Sequence, residues 1–518
     1  MTNPPPDLAE ALGAMTQKVV ELEAELAVAN KLLGTYKAML FGRCSEKARL
    51  VLGDQARLDL GDLSDVAPVL SAANDDPGPE RTKPRARRNI GALPKHLPRV
   101  IRVIEPDSTQ CPCCDGALHR IGEDVSEAID IVPAVLRVIA TVRPKYACRA
   151  CDGGVIQAPA PRRMIEGGMA TTSFIAWIVT QRFAWHLPIY RQTQMLAGHG
   201  LMLDRSTAVR WVQRAVWWLE GLYDRQLAFI HRQPRIHVDE TRMPVLEPGR
   251  GKVRLDQFWA HGCDDRGWNG PAPPAVCYVH ARSRSHETIS GQLGGYAGVL
   301  QVDGYGAYKA LEDPGRTTGT IRLAFCLAHL RRRFVDLHKG TQSPITARII
   351  ALLGRVYRIE GEIRGSSAGH RLGVRQTKTK PVMAELKVLL DNTLAQISTK
   401  STLAEHIRYA QGHWRGLTLF LDDGRIEVDN NMIERQMRPI GISRRNSLFA
   451  GNNGGARSWA ILASLLQTAK LNGLDPFTWL DDVLERIVSG EVRNNALDQL
   501  LAWNWTPGCR EALEDIAA

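Results

Sequence analysis

The chain has 518 residues, 44% of them hydrophobic, and this length predicts roughly two to four folded domains. Lysine and arginine exceed aspartate and glutamate by 66 − 55 = 11, and a pI near 9.2 favours a polyanionic partner. No apolar run approaches the roughly 18 residues of a membrane span and the first residues lack a signal sequence, so we expect a cytoplasmic protein with no membrane partner.

Residues 1–50 carry a heptad pattern. Apolar side chains from Leu8 to Leu40 alternate steps of four and three over about four heptads, which is typical of a coiled coil. The alternative is an amphipathic helix that packs on the protein's own core, although the three glutamates between residues 21 and 25 favour self-association. We therefore expect a homodimer or a higher oligomer.

Residues 51–104 have the composition of a linker that ends in a basic arm. Residues 1–80 carry 7 basic and 13 acidic side chains, whereas residues 81–104 carry eight basic side chains and no acid. A charge run of this kind is often only solvated, but here we favour an extended arm on the DNA backbone. Its central DNA contacts would be Arg85, Arg87 and Arg88.

Two pairs of cysteines predict a zinc ribbon over residues 105–160. Four thiolates in two Cys-x-x-Cys pairs suit one structural Zn²⁺ and leave no open position for catalysis. The ligands would be Cys111, Cys114, Cys148 and Cys151. Cys113 is the alternative to Cys114 as second ligand. The apolar β-branched residues Val138 and Val142 predict strands between the two pairs.

Residues 161–233 are predicted to form a helical DNA-binding region. Helical patterns cover residues 174–183, 189–197 and 207–219. The Gly198–Gly200 turn before the last of these gives the outline of a helix-turn-helix, although any helical hairpin has a similar pattern. Arg205 and Arg210 are the candidate DNA contacts, and we expect Trp211, Trp217 and Trp218 to belong to the core.

A mixed α/β catalytic domain is predicted over residues 234–450. Its strands are expected at residues 236–239, 253–261, 275–281 and 298–303. Apolar residues such as Ile349, Leu352 and Val356 recur at helical spacing and predict a helical insertion at about 341–420. Residues 451–518 are expected to form a C-terminal helical region.

Three acidic residues of this domain form the candidate active site. Asp239 and Asp303 each close a short β-branched run, as carboxylates do at the ends of buried strands. Glu434 follows the run from Asp429 to Asn431, whose residue types favour the N-cap of a helix. Three carboxylates on separate elements suit two Mg²⁺ ions roughly 3.5–4 Å apart, the arrangement for in-line phosphodiester chemistry.

Several ordered sequence blocks surround these acids. They are Val238–Thr241, Asp303–Tyr308, Cys326–Phe334, Asp429–Pro439, Ser447–Gly455 and Thr468–Pro476. In these blocks, and over nearly its whole length, the chain resembles the DDE transposases of insertion sequence sixty-six. The resemblance implies a ribonuclease-H-like catalytic core and small accessory transposition proteins encoded beside the transposase.

We therefore interpret the chain as a multidomain α+β protein and a DNA transposase that cleaves 3′ ends and joins them to target DNA. Its partners would be double-stranded terminal inverted repeats and target DNA, which would place it at the nucleoid when bound. Further DNA contacts are expected at His329, Arg331, Arg332, Arg435 and Arg438.

Two other functions are compatible with parts of this pattern. One is a catalytically inactive, zinc-dependent DNA-binding regulator derived from a transposase, which would bind DNA through the same arm, ribbon and helices. A protein that only binds DNA does not need all three acids, so the presence of all three argues against this function. The other, a non-transposing nuclease, does not account for the segments devoted to DNA ends and dimerisation.

Overall fold

The structure is a computed structural model that describes residues 136, 138–143, 145–147, 155–157, 159–247, 249, 253–313 and 319–508. All of these belong to the second of two compact units, residues 81–518. The predicted coiled coil, the basic arm with Arg85, Arg87 and Arg88, and the four zinc-ligand cysteines lie outside the described residues.

Two short strands, β1 (Lys145–Ala147) and β2 (Val155–Gln157), pair antiparallel. The prediction of strands at Val138 and Val142 is wrong, because residues 138–143 have no regular secondary structure. The side chains of Val138 and Val142 are exposed, at 93% and 81%, and therefore gain little of the packing that favours a strand.

Among the described residues, three helices precede the main sheet: α1 (Thr172–Phe183), α2 (Ile189–Gly198) and α3 (Arg205–His231). With 27 residues, α3 is twice as long as predicted, because its buried face continues beyond Leu219 to Ile230. Gln226 on this face donates hydrogen bonds to Val276 O and Thr468 Oγ1, so α3 is anchored in the main sheet domain. The predicted helix-turn-helix at α2 and α3 would therefore use a helix that also forms part of the hydrophobic core.

A five-stranded mixed sheet forms the centre of the domain, in the order β5-β4-β3-β6-β7. Its strands are β3 (Arg235–Leu246), β4 (Val253–Cys263), β5 (Ala275–Ala281), β6 (Gly298–Val302) and β7 (Ile321–Phe325). The first three pair antiparallel, and β3, β6 and β7 pair parallel, with the short helix α4 (His286–Gln292) before β6. The four predicted strands are confirmed, and β7 was missed.

Helices fill the chain between β7 and Glu434. They are α5 (Leu327–Thr341), α6 (Pro344–Ile363), α7 (Ala368–Val374), a π-helical turn (Arg375–Thr379), α8 (Lys380–Gln396), α9 (Thr402–Gly412) and α10 (Trp414–Thr418). Ile349, Leu352 and Val356 are buried, as their spacing predicted. They belong to the same apolar cluster as Leu300 of β6 and Leu323 of β7, so these helices share the core of the sheet.

Three further helices follow: α11 (Asn431–Ser447), α12 (Asn453–Leu471) and α13 (Pro476–Ser489). α12 lies against β5 and α3, and α13 packs on α1. Among the described helices, none combines the length and apolar character needed to cross a bilayer.

The helices of the insertion enclose a buried ion pair. Arg375 donates two hydrogen bonds to Glu360 along one edge of its guanidinium group, at 2.8 Å (Nε to Oε1) and 2.7 Å (Nη2 to Oε2). Arg375 Nη1 also donates to the carbonyl oxygens of Phe420 and Asp423, which lie on the chain leading to α11. Arg355 on α6 makes a comparable but exposed contact with Glu385.

We predict that Arg375→Ala lowers the free energy of unfolding by about 3–5 kcal/mol, because it leaves Glu360 without its main buried partner. The matched control Arg355→Ala removes an exposed pair and should cost less than about 1 kcal/mol. Urea unfolding followed by tryptophan fluorescence measures both. Equal effects of the two substitutions would contradict a structural role for the buried pair.

Candidate functional site

Asp239 and Asp303 lie on neighbouring parallel strands. His237 of β3 pairs with Gln301 of β6, an offset of 301 − 237 = 64 residues. The two acids have the same offset, 303 − 239 = 64, so continuing the register by two residues sets them side by side on one face. Asp303 directly follows β6, as predicted. The expectation that Asp239 ends its strand is wrong, because β3 continues to Leu246 as the partner of β4.

Glu434 reaches these strands from the first turn of α11. Its neighbour Ile433 packs on β4 at Gly262, where a Cβ atom would lie only 2.8 Å from Ile433 Cδ1. Tyr278 of β5 donates a hydrogen bond of 2.6 Å to Gln436 O. These contacts fix α11 across the antiparallel part of the sheet and leave Glu434 buried near the other two acids.

The negative charges at this site act on one another. Burial raises the pKa of Asp239 well above its ordinary value, and the charges of Glu240, Asp303 and Glu434 raise it further. Only a hydrogen bond from Glu240 N to Asp239 Oδ1, of 2.9 Å, opposes this rise. The site therefore favours binding of a proton or a cation.

Glu240 is a fourth carboxylate at the site, and the sequence reasoning gave it no role beyond its place in a resembling block. Its side chain is only 1% exposed. Tyr308 donates to its Oε2 at 2.6 Å and Arg284 donates to its Oε1 at 2.6 Å. Arg284 also stacks on Tyr305 at 3.8 Å. Because both tyrosines follow Asp303, Glu240 ties the Asp303 loop to β3.

The Asp303 loop is further held from the helical insertion. Tyr305 N donates to Asp303 Oδ1 at 2.8 Å, and Tyr409 on α9 donates to Asp303 O at 3.2 Å. Gly304 has φ +100°, and a Cβ atom there would lie 2.5 Å from the Tyr409 hydroxyl. This position therefore requires glycine for both conformation and space.

Cys326 and His329, at the start of α5, lie beside Glu434. Glu434 Oε1 is 3.7 Å from Cys326 Sγ and 3.6 Å from His329 Nδ1. Among the described residues, these three form the group whose ligand atoms all lie within 4.8 Å of one another. Burial and the charge of Glu434 raise the pKa of the Cys326 thiol well above its usual range, which keeps it protonated. Cys326 is buried, and the ring of His329 faces Glu434.

The segment before Glu434 differs from its predicted role as a helix cap. Asn430 stands at the N-cap position, but its carboxamide bonds to His237 and to Val238 O instead of the helix. Asp429 accepts hydrogen bonds from the backbone and side chain of Asn431. Burial raises the pKa of Asp429 to about 6. Competing tertiary partners thus override the local capping preference.

The basic residues expected at DNA divide into two groups. Arg435 and Arg438 are exposed on α11 beside Glu434, and Arg331 and Arg332 are partly buried on α5. Arg205 and Arg210, the second group, are exposed on the first two turns of α3. The length of α3 separates Arg205 from the helix end that leads into β3 by about 40 Å at 1.5 Å per residue.

Of the three tryptophans expected in the core, Trp211 is buried and Trp218 is partly buried. The expectation is wrong for Trp217, because its side chain is 57% exposed. Arg214, one turn earlier on α3, lies over the indole at 4.3 Å. The exposed face of α3 therefore carries an aromatic ring as well as charge.

The oxygen ligands of Asp239, Asp303 and Glu434 fit a hard divalent cation such as Mg²⁺. Burial and the neighbouring negative charges both raise the pKa of Asp239, and a bound cation would offset these charges. Sulfur is not a ligand that Mg²⁺ prefers, so the Cys326 thiol does not belong to this donor set.

Comparison with protein families matches the chain in four stretches. Residues 167–458 match the transposase IS66 family, and residues 464–503 match the IS66 C-terminal element. Residues 108–152, which include the four predicted zinc ligands, match the zinc-finger binding domain of transposase IS66. Residues 30–102 match the family described as transposase C of IS166 homeodomain. These matches support a structural zinc and DNA as the partner.

Three relatives from Sinorhizobium fredii (strain NBRC 101917 / NGR234) align along most of the chain. Uncharacterized protein y4jD is 54% identical over 498 residues, which cover 95% of this chain and 96% of that protein. Uncharacterized protein y4qI is 41% identical, covering 95% and 91%, and uncharacterized protein y4hP is 35% identical, covering 90% and 86%. The chain belongs to the IS66 family of transposases.

Proposed function

We propose that this protein is a DDE-type DNA transposase in which Asp239, Asp303 and Glu434 carry out 3′-end cleavage and strand transfer. The observation that carries the proposal is the convergence of these carboxylates from β3, β6 and α11, where their charges act on one another. The strand order, with three antiparallel strands followed by two parallel ones, supports a ribonuclease-H-like core.

Asp239 and Asp303 would share one Mg²⁺, and Glu434 would complete the site of a second. When bound, Mg²⁺ supplies activation of a water or a 3′ hydroxyl and stabilisation of the leaving oxygen. The chain's own contribution is a fixed set of carboxylates, in which backbone N–H groups orient Asp239 and Asp303. Because cleavage and strand transfer are both in-line attacks on a phosphodiester, one such site serves both, without a covalent enzyme intermediate.

The DNA strand would approach this site along α11. Arg435 and Arg438 would neutralise phosphate charge next to Glu434, with Arg331 and Arg332 of α5 beside them. The ring of His329 faces Glu434. His329 would therefore contact only DNA that is bound next to that acid. Arg205 and Arg210 would contact a separate stretch of DNA, since α3 carries them away from β3.

The remaining parts of the chain would support assembly on DNA. We assign a coiled coil to residues 1–50, a linker with the basic arm to 51–104, a zinc ribbon to 105–160 and a DNA-binding region to 161–233. The catalytic domain would span 234–450 with its insertion at about 341–420, followed by a C-terminal region at 451–518. The protein would act as a homodimer or higher oligomer in the cytoplasm, at the nucleoid, with accessory proteins.

The alternative is an inactive zinc-dependent regulator that only binds DNA. The acid site argues against this alternative. Four carboxylates that repel one another raise the free energy of the folded protein and serve no purpose in DNA binding. Loss of activity in an acid variant that still binds DNA separates the two functions.

On catalysis, we predict that Asp303→Asn keeps its affinity for the element's ends but loses Mg²⁺-dependent cleavage and strand transfer. The loss should be on the order of 1000-fold or more, because the substitution keeps the shape of the side chain but removes a metal ligand. Asp239→Asn and Glu434→Gln should behave alike, and combined defects should not multiply. Gel-based cleavage and joining assays measure the rates, and binding assays over a salt series measure affinity.

The matched control is Asp336→Asn, which removes an exposed carboxylate of α5 and should leave the rate unchanged. A wild type that binds the ends but never nicks or joins them with Mg²⁺ or Mn²⁺ would refute the transposase. So would an Asp303→Asn variant as active as the wild type.

On zinc, we predict that the purified protein carries about one Zn²⁺ per chain, released by thiol-reactive reagents. Cys148→Ser should lose this zinc and unfold residues 105–160 while sparing the catalytic domain, because structural zinc contributes folding free energy of order 10 kcal/mol. Cys44→Ser, outside both cysteine pairs, should retain the metal. Elemental analysis that finds no zinc in folded, freshly purified protein would exclude the ribbon.

On assembly, we predict that deleting residues 1–40 weakens self-association and paired-end binding but largely keeps the affinity for a single DNA end. Leu26→Glu, on the predicted heptad seam, should act like the deletion, whereas Glu25→Gln on the outer face should not. Light scattering over a range of concentrations measures the mass. If the full-length and truncated proteins form oligomers with the same number of chains at every concentration, the alternative of a packed helix is favoured.

A further inference from the structure

We infer that Asn430 and Gln301 are positioning residues that hold the segments carrying Asp239, Asp303 and Glu434 at a fixed separation. The inference rests on the proposed function and deepens it. It concerns two buried, uncharged side chains that make hydrogen bonds to the segments carrying the acids.

Asn430 joins the Glu434 helix to the Asp239 strand. Its Nδ2 donates to Val238 O at 3.0 Å, one residue before Asp239, and its Oδ1 lies 2.7 Å from His237 Nδ1. Its own carbonyl oxygen accepts from Glu434 N at 3.2 Å. One residue thus bonds to the backbone of both acid-bearing segments.

The direction of these hydrogen bonds is fixed by Arg235. Its Nη1 lies 2.6 Å from His237 Nε2, and because a guanidinium only donates, Nε2 must accept. With Nε2 accepting, the ring carries its hydrogen on Nδ1, the nitrogen that lies 2.7 Å from Asn430 Oδ1. Nδ1 therefore donates to Asn430 Oδ1, which leaves the amide nitrogen of Asn430 toward Val238 O.

Gln301 makes the corresponding connection from β6, two residues before Asp303. Its Oε1 accepts from Arg235 Nη1 and from Glu427 N, both at 3.0 Å. Its Nε2 donates to Glu427 O at 2.9 Å and to Asp429 O at 3.4 Å. Gln301 thus binds the backbone of the segment that leads to Glu434. Arg235 connects Gln301 to Asn430, because it donates hydrogen bonds to both Gln301 and His237 and His237 in turn donates to Asn430.

Uncharged amides suit this position for an electrostatic reason. A further negative charge next to these segments would add to the repulsion among Asp239, Asp303 and Glu434. A carboxamide supplies both a donor and an acceptor without charge, which Asn430 and Gln301 both use. Their substitution should alter the spacing of the acids, and hence metal affinity, before it alters DNA binding.

The test compares Asn430→Ala and Gln301→Met with wild type and with a matched control, Asn472→Ala. Asn472 also ties a helix end to another segment, through a bond to Pro274 O, but it does not touch the acid-bearing segments. The first measurement is calorimetric titration of full-length, zinc-loaded protein with Mn²⁺, with Asp303→Asn identifying the heat of the acid site. The second is the rate of Mg²⁺-dependent cleavage of end DNA, resolved into kcat and KM.

We expect both variants to bind Mn²⁺ and to turn over roughly 10–100-fold less well, the usual effect of losing a residue that orients metal ligands. KM for DNA should stay unchanged, and Asn472→Ala should match wild type in both measurements. Asn430→Asp should be as defective as Asn430→Ala, because it turns a carboxylate oxygen toward Val238 O. If Asn430→Ala does not fold, the same measurements are made on Asn430→Asp instead.

Variants that lose stability like Asn472→Ala but keep wild-type Mn²⁺ affinity and kcat would overturn the inference. A wild type that binds Mn²⁺ at the acids but never cuts DNA would refute the proposed function alone, and the Mn²⁺ affinities would still decide the role of Asn430 and Gln301. A wild type that binds no Mn²⁺ at Asp303 would overturn both.

Discussion

The parallel pairing of β3 with β6 in one register is the constraint on which the acid site depends. It sets Asp239 and Asp303 side by side, and α11 brings Glu434 to the same place. Such an arrangement is electrostatically unfavourable by itself, since each charge raises the free energy of the others. The surrounding structure compensates by rigid attachment: Glu240, for example, is held between Arg284 and Tyr308.

The helical insertion takes part in this attachment. Arg371 of α7 bonds to both oxygens of Glu427, at 2.8 and 3.0 Å, and lowers the pKa of that carboxyl group. Tyr409 of α9 reaches the backbone of Asp303. A buried ion pair such as Arg371–Glu427 contributes little net stability because desolvation offsets its attraction. Their geometry is specific, however, and it connects the insertion to two of the three acid-bearing segments.

Neutral side chains dominate the layer directly beneath the acids. His237, Asn430 and Gln301 are fully buried and uncharged, and Arg235 is the cation that orders them. Asp265 accepts from the same guanidinium, at 3.1 Å, and balances its charge. The acid site thus rests on a hydrogen-bonded layer, while Arg435 and Arg438 of α11 are exposed to solvent.

The sequence alone determined four of the five strands of the main sheet, the helical character of the insertion and the identity of the acids proposed for catalysis, because these depend on local patterns such as the period of apolar residues around Ile349 and Leu352. It did not show that β3 continues past Asp239 or that β7 exists. It also gave no role to Gln301, and it predicted only a helix cap for the run that contains Asn430. Only the tertiary structure decided these points. A polar residue takes a partner that is near in space, and for Asn430 and His237 that partner is 193 positions away along the chain.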